Sequence, residues 1–420
     1  MHSNSKDTVL RALAHRAGPV PVDFGGTAVT GIHVSVVAAL RARLGLPGGP
    51  VRVVEPYQML GEIAGDLMDA MGIDCIGAPA RCTMFGFPLE GPWREWRCPW
   101  GQVVLMPAGF VTSVEEGDVY VHPEGDASVP PSGRMPASGY FFDAVIRQEP
   151  LDEEAPDPAD NLEEFVPLPA ADETYWKQQA AVMRTSPRAV VATLGGTAFG
   201  DIALVPAPFL KRPKGIRDIS EWYMALASRR DYVHAVFARQ CEVALANLDR
   251  FHAIVGDAVD VLYVCGTDFG TQSSQFCSRE TFEELYLPYY RRINDWVHRH
   301  TGWKTLKHSC GAIDPLLPSL IRAGFDIINP VQCSATGMLP DHLKQAYGRD
   351  LVFWGGGVDT QRTLPFGTPA QVRAEVLERC RVFSRDGGFV FSTIHNIQAR
   401  TPTENVVAMV EAVRAFNAGG

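Results

Sequence analysis

From residue 188 onward, short apolar segments alternate with segments of helical period, and this alternation restricts the chain more than any other feature. The strand-like segments are 189–194, 260–265, 305–307, 325–329, 351–354 and 389–392. Nearly all of them are apolar without alternation, the pattern of strands buried on both faces. Between them lie helical segments at 218–227, 233–254, 279–300 and 313–323. Strand-then-helix repetition gives a parallel sheet with right-handed crossovers. An open doubly wound sheet and a closed barrel both satisfy it. Polar or glycine-rich residues follow many strands: Gly195-Gly196-Thr197, Asp268, His308 to Cys310, Asn329 to Gln332, Gly355 to Asp359 and His395-Asn396. A barrel places all such ends around one mouth, so an α/β fold of the (β/α)8 TIM-barrel type is expected. No strand–GxGxxG–helix and no GxxxxGK[ST] occurs, which removes the usual support for a nucleotide cofactor.

The N-terminal half reads differently. Residues 1–18 suggest an amphipathic first helix, and 19–24 (PVPVDF) a short strand ending in Asp23 before Gly25-Gly26. Helical periodicity covers 33–44 and 57–71. From 82 to about 142, short alternating pieces such as 102–106 and 119–122 are separated by Gly, Pro and acidic turns, which predicts β-hairpins. The chain is therefore expected to be one domain, 1–420, with a hairpin and acidic-loop elaboration at about 82–175. Within it, 151–174 is acidic and Pro-rich and reads as a solvated excursion. Trp93, Trp96, Trp100, Tyr140, Phe141 and Phe142 either line a mouth or pack this layer. Thr368-Pro369-Ala370-Gln371 and Thr401-Pro402-Thr403-Glu404 each have the form of a capping box with proline at the first helical position. Ser278 is a candidate cap for the helix after it.

Charge and cysteine usage exclude some classes. The net charge of −10 lacks the basic face that nucleic-acid binding needs. No apolar run approaches a membrane span, and the N-terminus has no signal-peptide core. Nine cysteines without framework spacing point to a reduced, cytoplasmic setting.

The chemistry concentrates at 304–330. His308 and Cys310 are two apart at a strand end, so their side chains share a face. Imidazole and thiolate are ligands that zinc favours. The alternative is a buried cysteine and a hydrogen-bonded histidine at a strand end.

Several pieces in order extend this picture: Gly266-Thr267-Asp268-Phe269-Gly270-Thr271-Gln272, His308-Ser309-Cys310-Gly311, Ala323 to Pro330, Trp354 to Asp359, and Thr401-Pro402-Thr403-Glu404-Asn405. Over roughly 190–416 the chain resembles the uroporphyrinogen decarboxylase superfamily. That resemblance implies a (β/α)8 barrel. It also implies one of two chemistries, porphyrin decarboxylation without a metal or zinc-dependent methyl transfer with cobalamin. The decarboxylases share an early arginine-rich segment that grips substrate carboxylates; here the first strand reads PVPVDFGGT, without arginine. The methyltransferases have the HxC pair and a later Cys ahead of the TPxEN helix. Aligning on Pro402 puts His395 at that position. The resemblance thus implies a Zn2+ held by His308, Cys310 and His395, with a fourth position open to a thiol, hydroxyl or water. Asp268 and Asp359 are candidate catalytic residues, as orienters, a fourth ligand or substrate contacts, with turn capping as the alternative for both. Asp23, Gln272, Gln332 and Asn396 are candidate substrate-binding residues, Asp23 equally a turn cap, and Cys333 is a rival ligand. The leading expectation is a zinc-dependent methyltransferase acting between a small methylated substrate or thiol and a corrinoid or other acceptor. A DxHxxG signature is absent, so a corrinoid (cobalamin) would come free or on a partner protein. A decarboxylase of porphyrin or another carboxylate is the alternative, and a non-catalytic ligand-binding barrel a third. The substrate is expected to be a small molecule, with no nucleic-acid or membrane partner, and a homodimer is left open.

Overall fold

The computed structural model describes residues 5–150 and 156–419. Seven parallel strands form the central sheet: β1 Cys75–Ala78, β2 Ala189–Ala192, β3 Val261–Cys265, β4 Lys304–His308, β5 Ile327–Asn329, β6 Val352–Trp354 and β7 Phe389–Val390. Each pairs with its neighbours in sequence order. The sheet curls until its two outer strands approach one segment. Val22 bridges Phe391 in parallel just beyond β7, and on the other side the Asp74 amide donates to the Val22 carbonyl at 2.8 Å, just ahead of β1.

Two apolar layers follow from the pleat. Residues of one parity, including Cys75, Val191, Val261, Leu306, Ile327, Val352, Trp354 and Val390, face one another inside the curl. The helix Ser5–Leu13 adds Val9, Ala12 and Leu13 to that cluster. It lies at the start of the strands, where the Gly388 amide donates to the Ala12 carbonyl at 3.1 Å. The other parity packs outward in a larger core with the surrounding helices. One end of the sheet is thereby covered, and the carboxyl ends of the strands remain for a site.

Between β1 and β2 the chain forms antiparallel pieces. Trp93–Arg97 pairs with Val103–Pro107, and Thr112–Glu115, Asp118–Val121, Gly133–Met135 and Asp143–Ala144 form a four-stranded sheet. Most of the clustered aromatics pack this layer: Trp100 stacks on Tyr140 at 5.1 Å, and Phe110 meets both Trp96 and Phe142 edge-on. Phe141 is exposed.

Several sequence expectations need correction. Helix over 57–71 is confined to Gly65–Met71. Leu60–Gly61 pairs with Val53–Glu55 instead, and the Glu55 carboxylate accepts from the Tyr57 and Gln58 amides. The strand β1 was not expected; its CIGA sequence is too short and small to stand out. The expected helix over 279–300 divides into Arg279–Leu285 and Leu287–His300. Pro288 follows the break and lacks the amide hydrogen a continuous helix would use. Of the two capping boxes, Thr368 forms one with Gln371. Thr401 does not: its hydroxyl donates to the Gln398 carbonyl at 2.8 Å and the helix begins at Thr403. Ser278 caps as expected, accepting from the Thr281 amide. Of the acidic stretch 151–174, residues 151–155 lie outside the described residues, and 170–174 open the helix Ala170–Thr185.

Candidate metal centre

His308 ends β4, Cys310 stands two residues on, and His395 lies in the turn after β7. Ligand-capable atoms of the three lie within 4.8 Å of one another. His308 Nε2 is 3.5 Å from Cys310 Sγ, and the two imidazole centroids are 5.3 Å apart.

The neighbours of His308 fix which nitrogen faces the group. Asn329 Nδ2 donates to the Trp354 carbonyl at 2.8 Å, so its Oδ1 is left toward His308 Nδ1, at 2.6 Å. That nitrogen must then carry the proton, and the lone pair on Nε2 points toward Cys310. Trp354 is itself tied down, its indole donating to Asp23 Oδ2 at 2.8 Å. Asp268 Oδ1 accepts from the Cys310 amide at 2.7 Å and lies 3.7 Å from His308 Nε2. Lys307, fully buried, donates to the carbonyls of Thr267 and His308 and holds the strand end between them.

Two backbone features shape the loops. His395 sits at φ +70°, a conformation that costs an L-residue roughly 1–3 kcal/mol and that recurs at functional sites. Gly311, at φ +86°, lies so close to Gly270 that an added Cβ would come within 2.3 Å of its backbone carbon. The strand ends carrying Asp268 and Cys310 thus pack backbone against backbone at Gly270 and Gly311.

Burial governs protonation here. It holds His308 and His395 down to about 4, the Asn329 bond opposing it at His308 and the neighbouring His308 reinforcing it at His395. Both imidazoles are therefore neutral near pH 7, the form that binds metal. Burial and Asp268 push the Cys310 thiol well up. Without a cation that thiol stays protonated, whereas a bound divalent ion favours the thiolate. The donor set therefore fits zinc: two neutral imidazoles, and a thiol that ionises only when the ion arrives.

The other sequence candidates divide. Gln332 Oε1 accepts from the Gly311 amide at 2.8 Å, beside the centre. Asp359 Oδ1 caps its own turn, accepting from Gln361 and Arg362. Gln272 is exposed and reaches Gln361 at 3.3 Å. Asp23, wholly buried, also accepts from the Gly26 amide, and burial raises it to about 6. Asn396 bonds Gly31, Ala28 and Gln58, pinning the first loop to the last. Cys333 is buried against the Val331 carbonyl and is not part of the three-residue group.

Sequence reasoning gave no role to Asn329, although it named that strand end, and it passed over Asp201. Asp201 is buried, accepts from the Ala203 amide at 3.0 Å and from that of Gly266, and is raised by burial to about 6, with Asp268 adding to the rise. It also lines a cavity of about 690 Å3 beside the ends of β1 and β2, which none of His308, Cys310 or His395 lines.

The tautomer lock is testable. Asn329→Ala is expected to weaken zinc binding roughly 10–100-fold, the usual effect of losing a group that orients a ligand. Competition against a chelator measures this, with circular dichroism as the folding control; unchanged affinity would remove Asn329 from the account.

Residues 203–416, half of the chain, match the family described as Uroporphyrinogen decarboxylase (URO-D). Two curated relatives carry the name uroporphyrinogen decarboxylase. One, from Anaeromyxobacter dehalogenans (strain 2CP-C), is 26% identical over 260 residues, covering 60% of this chain and 66% of the relative. The other, from Anaeromyxobacter sp. (strain Fw109-5), is 27% identical over 259 residues with the same coverage. The match therefore spans just under two thirds of each relative. Among solved structures, a methyltransferase from Methanosarcina mazei superposes with a TM-score of 0.55 at 16% identity, covering 98% of this chain and 99% of that one. That likeness establishes a shared fold.

Proposed function

Since the chain belongs to the uroporphyrinogen decarboxylase family, we propose that it is a zinc-dependent methyltransferase of that family, with His308, Cys310 and His395 as the metal ligands. One observation carries the reading: two neutral imidazoles and a thiol from two strand ends meet within 4.8 Å. Bound zinc would supply a Lewis acid that lowers the pKa of a thiol or hydroxyl at its open position, making it a nucleophile able to accept a methyl group. Asp268 holds the Cys310 amide and so positions the thiol, while Asn329 orients His308 through Nδ1. Asp359 shapes the adjoining loop. Gln332, and more remotely Gln272, are the polar contacts offered to a substrate, whereas Asp23 and Asn396 act through the loops they anchor. The methyl group would pass between a small methylated substrate or thiol and a corrinoid, free or on a partner protein, or another acceptor. We take the chain as one (β/α)8 domain closed by the Val22 segment, with the antiparallel strands and acidic loop at about 82–175 as its elaboration.

The curated relatives' name keeps porphyrin decarboxylation as the alternative. Against it stands the segment 19–27, PVPVDFGGT, without arginines, since several carboxylates need paired cations to hold them. Incubation with uroporphyrinogen is expected to give no decarboxylation; turnover at an ordinary enzymatic rate would reverse the choice.

Metal analysis of protein purified without chelator tests the lead reading and is expected to give about one zinc per chain. Its pH signature follows from the site. At pH 6 both imidazoles, held near 4, are already unprotonated, while the Cys310 thiol, pushed up, carries its proton. Zinc binding should therefore release about one proton per site, seen as the buffer dependence of the calorimetric heat. Release near zero, or near three, contradicts the proposed ligand set.

A further inference from the structure

We infer that the 690 Å3 cavity at the ends of β1 and β2 receives an uncharged, largely apolar molecule, the body of the substrate whose reacting end meets the metal. The substrate role rests on the methyltransferase reading; the binding does not. The volume is that of a small-molecule site. Its walls include Trp93, Tyr175, Trp222 and Phe237. At Gly195 and Gly196 an added Cβ would meet nothing within 4 Å, so the β2 end of the cavity is open space.

The charges in the lining decide the ligand's class, because each is already engaged. Arg217, 1% exposed, forms two bonds with Glu164, at 2.9 and 3.1 Å. Arg52 pairs at the rim with Glu62 at 3.8 Å and lies over the Trp93 ring. Glu90 is bound by Arg81. Glu55 is held by the amides of Tyr57 and Gln58, and Asp201 by those of Ala203 and Gly266. A carboxylate passing inward of Arg52 at the rim would have to displace Glu164 from a buried guanidinium or remain unpaired, and an unpaired buried charge is strongly disfavoured. A cation would meet carboxylates already satisfied by partners. A neutral molecule faces neither cost. Asp201 also connects the two regions, lining the cavity while meeting the end of β3 beside Asp268. Substrate lying along it would span from the apolar walls toward Cys310.

The test uses the full chain and the neutral fluorophore N-phenyl-1-naphthylamine, displaced at pH 8 by naphthalene-1-carboxamide or by 1-naphthoate. These competitors match in size and differ in charge. The carboxamide is expected to compete at least tenfold better. Leu204→Trp, which fills the cavity from its wall, should weaken fluorophore binding at least tenfold without changing zinc content; Ala80→Trp serves if the first variant does not fold. Naphthoate competing as well as the carboxamide, or a folded tryptophan variant binding like the parent, overturns the inference. Protein that binds zinc but not the fluorophore also overturns it and leaves the metal reading standing. Protein that binds the fluorophore as described but no zinc supports the cavity assignment and refutes the methyltransferase reading.

Discussion

Cys310→Ser should lose most of its zinc and most of its activity while keeping its fold. Serine is nearly isosteric, and the Asp268 bond to residue 310 is made by the backbone amide, so that anchor survives the change. What disappears is the thiolate. A serine oxygen is a harder and weaker donor than a thiolate, and zinc favours sulfur at such a position. Groups that merely orient a ligand are worth 10–100-fold in metal affinity, so loss of a direct ligand should exceed ~100-fold. Atomic emission for metal content, methyl-transfer assays and circular dichroism together measure the result. A Cys310→Ser protein that retains both metal and turnover would falsify the assignment.

Gly311→Ala should be strongly damaging for the addition of a single methyl group. Two costs add. Alanine at φ +86° is strained, and its Cβ would lie 2.3–2.5 Å from the backbone of Gly270 and Thr271, where no side chain can move aside. Strain of the first kind costs roughly 1–3 kcal/mol and overpacking of the second kind a similar amount, together about 2–6 kcal/mol. That is a large share of a typical domain's stability of about 5–15 kcal/mol. Relief by separating the loops would carry Asp268 away from the Cys310 amide, so zinc affinity should fall along with the unfolding midpoint. Denaturant melts of the metal-free protein isolate the first effect. If Gly311→Ala melts with the parent, the close contact between the loops is not what holds them.

How much of this was legible beforehand depends on what each feature rests on. The strand–helix alternation was visible because doubly buried strands leave long apolar runs. β1 was not, because Gly77 has no room for a side chain, an added Cβ lying 2.7 Å from the Gly25 carbonyl oxygen, and the remaining residues are too few to make a pattern. The break before Pro288 was written in the residue itself and was overlooked. In the site, the two-residue spacing of His308 and Cys310 reported their shared face directly. His395 came only through resemblance, since nothing local ties it to residues far earlier in the chain. The role of Asn329 depends on a three-way arrangement with His308 and the Trp354 carbonyl, which no linear pattern encodes. Asp23 and Asn396 were expected at the substrate because polar residues after strands often are. Their polar atoms are instead taken up by Trp354, Gly26 and the first loop, demands that arise only when the chain's ends meet.

That meeting of ends sets an order of events. Val22 bridges Phe391, and the Gly31 amide bonds Asn396, the residue next to His395. His308 and Cys310 can be aligned by neighbours close in sequence, but His395 gains its place only when the Val22 segment has met the end of β7 across nearly the whole chain. Such long-range closure is slow to form. On the proposed ligand set, zinc capture would then mark completion of folding rather than guide it. In reverse, opening of this one seam would release a ligand while the rest of the sheet stayed paired, so metal loss should precede global unfolding.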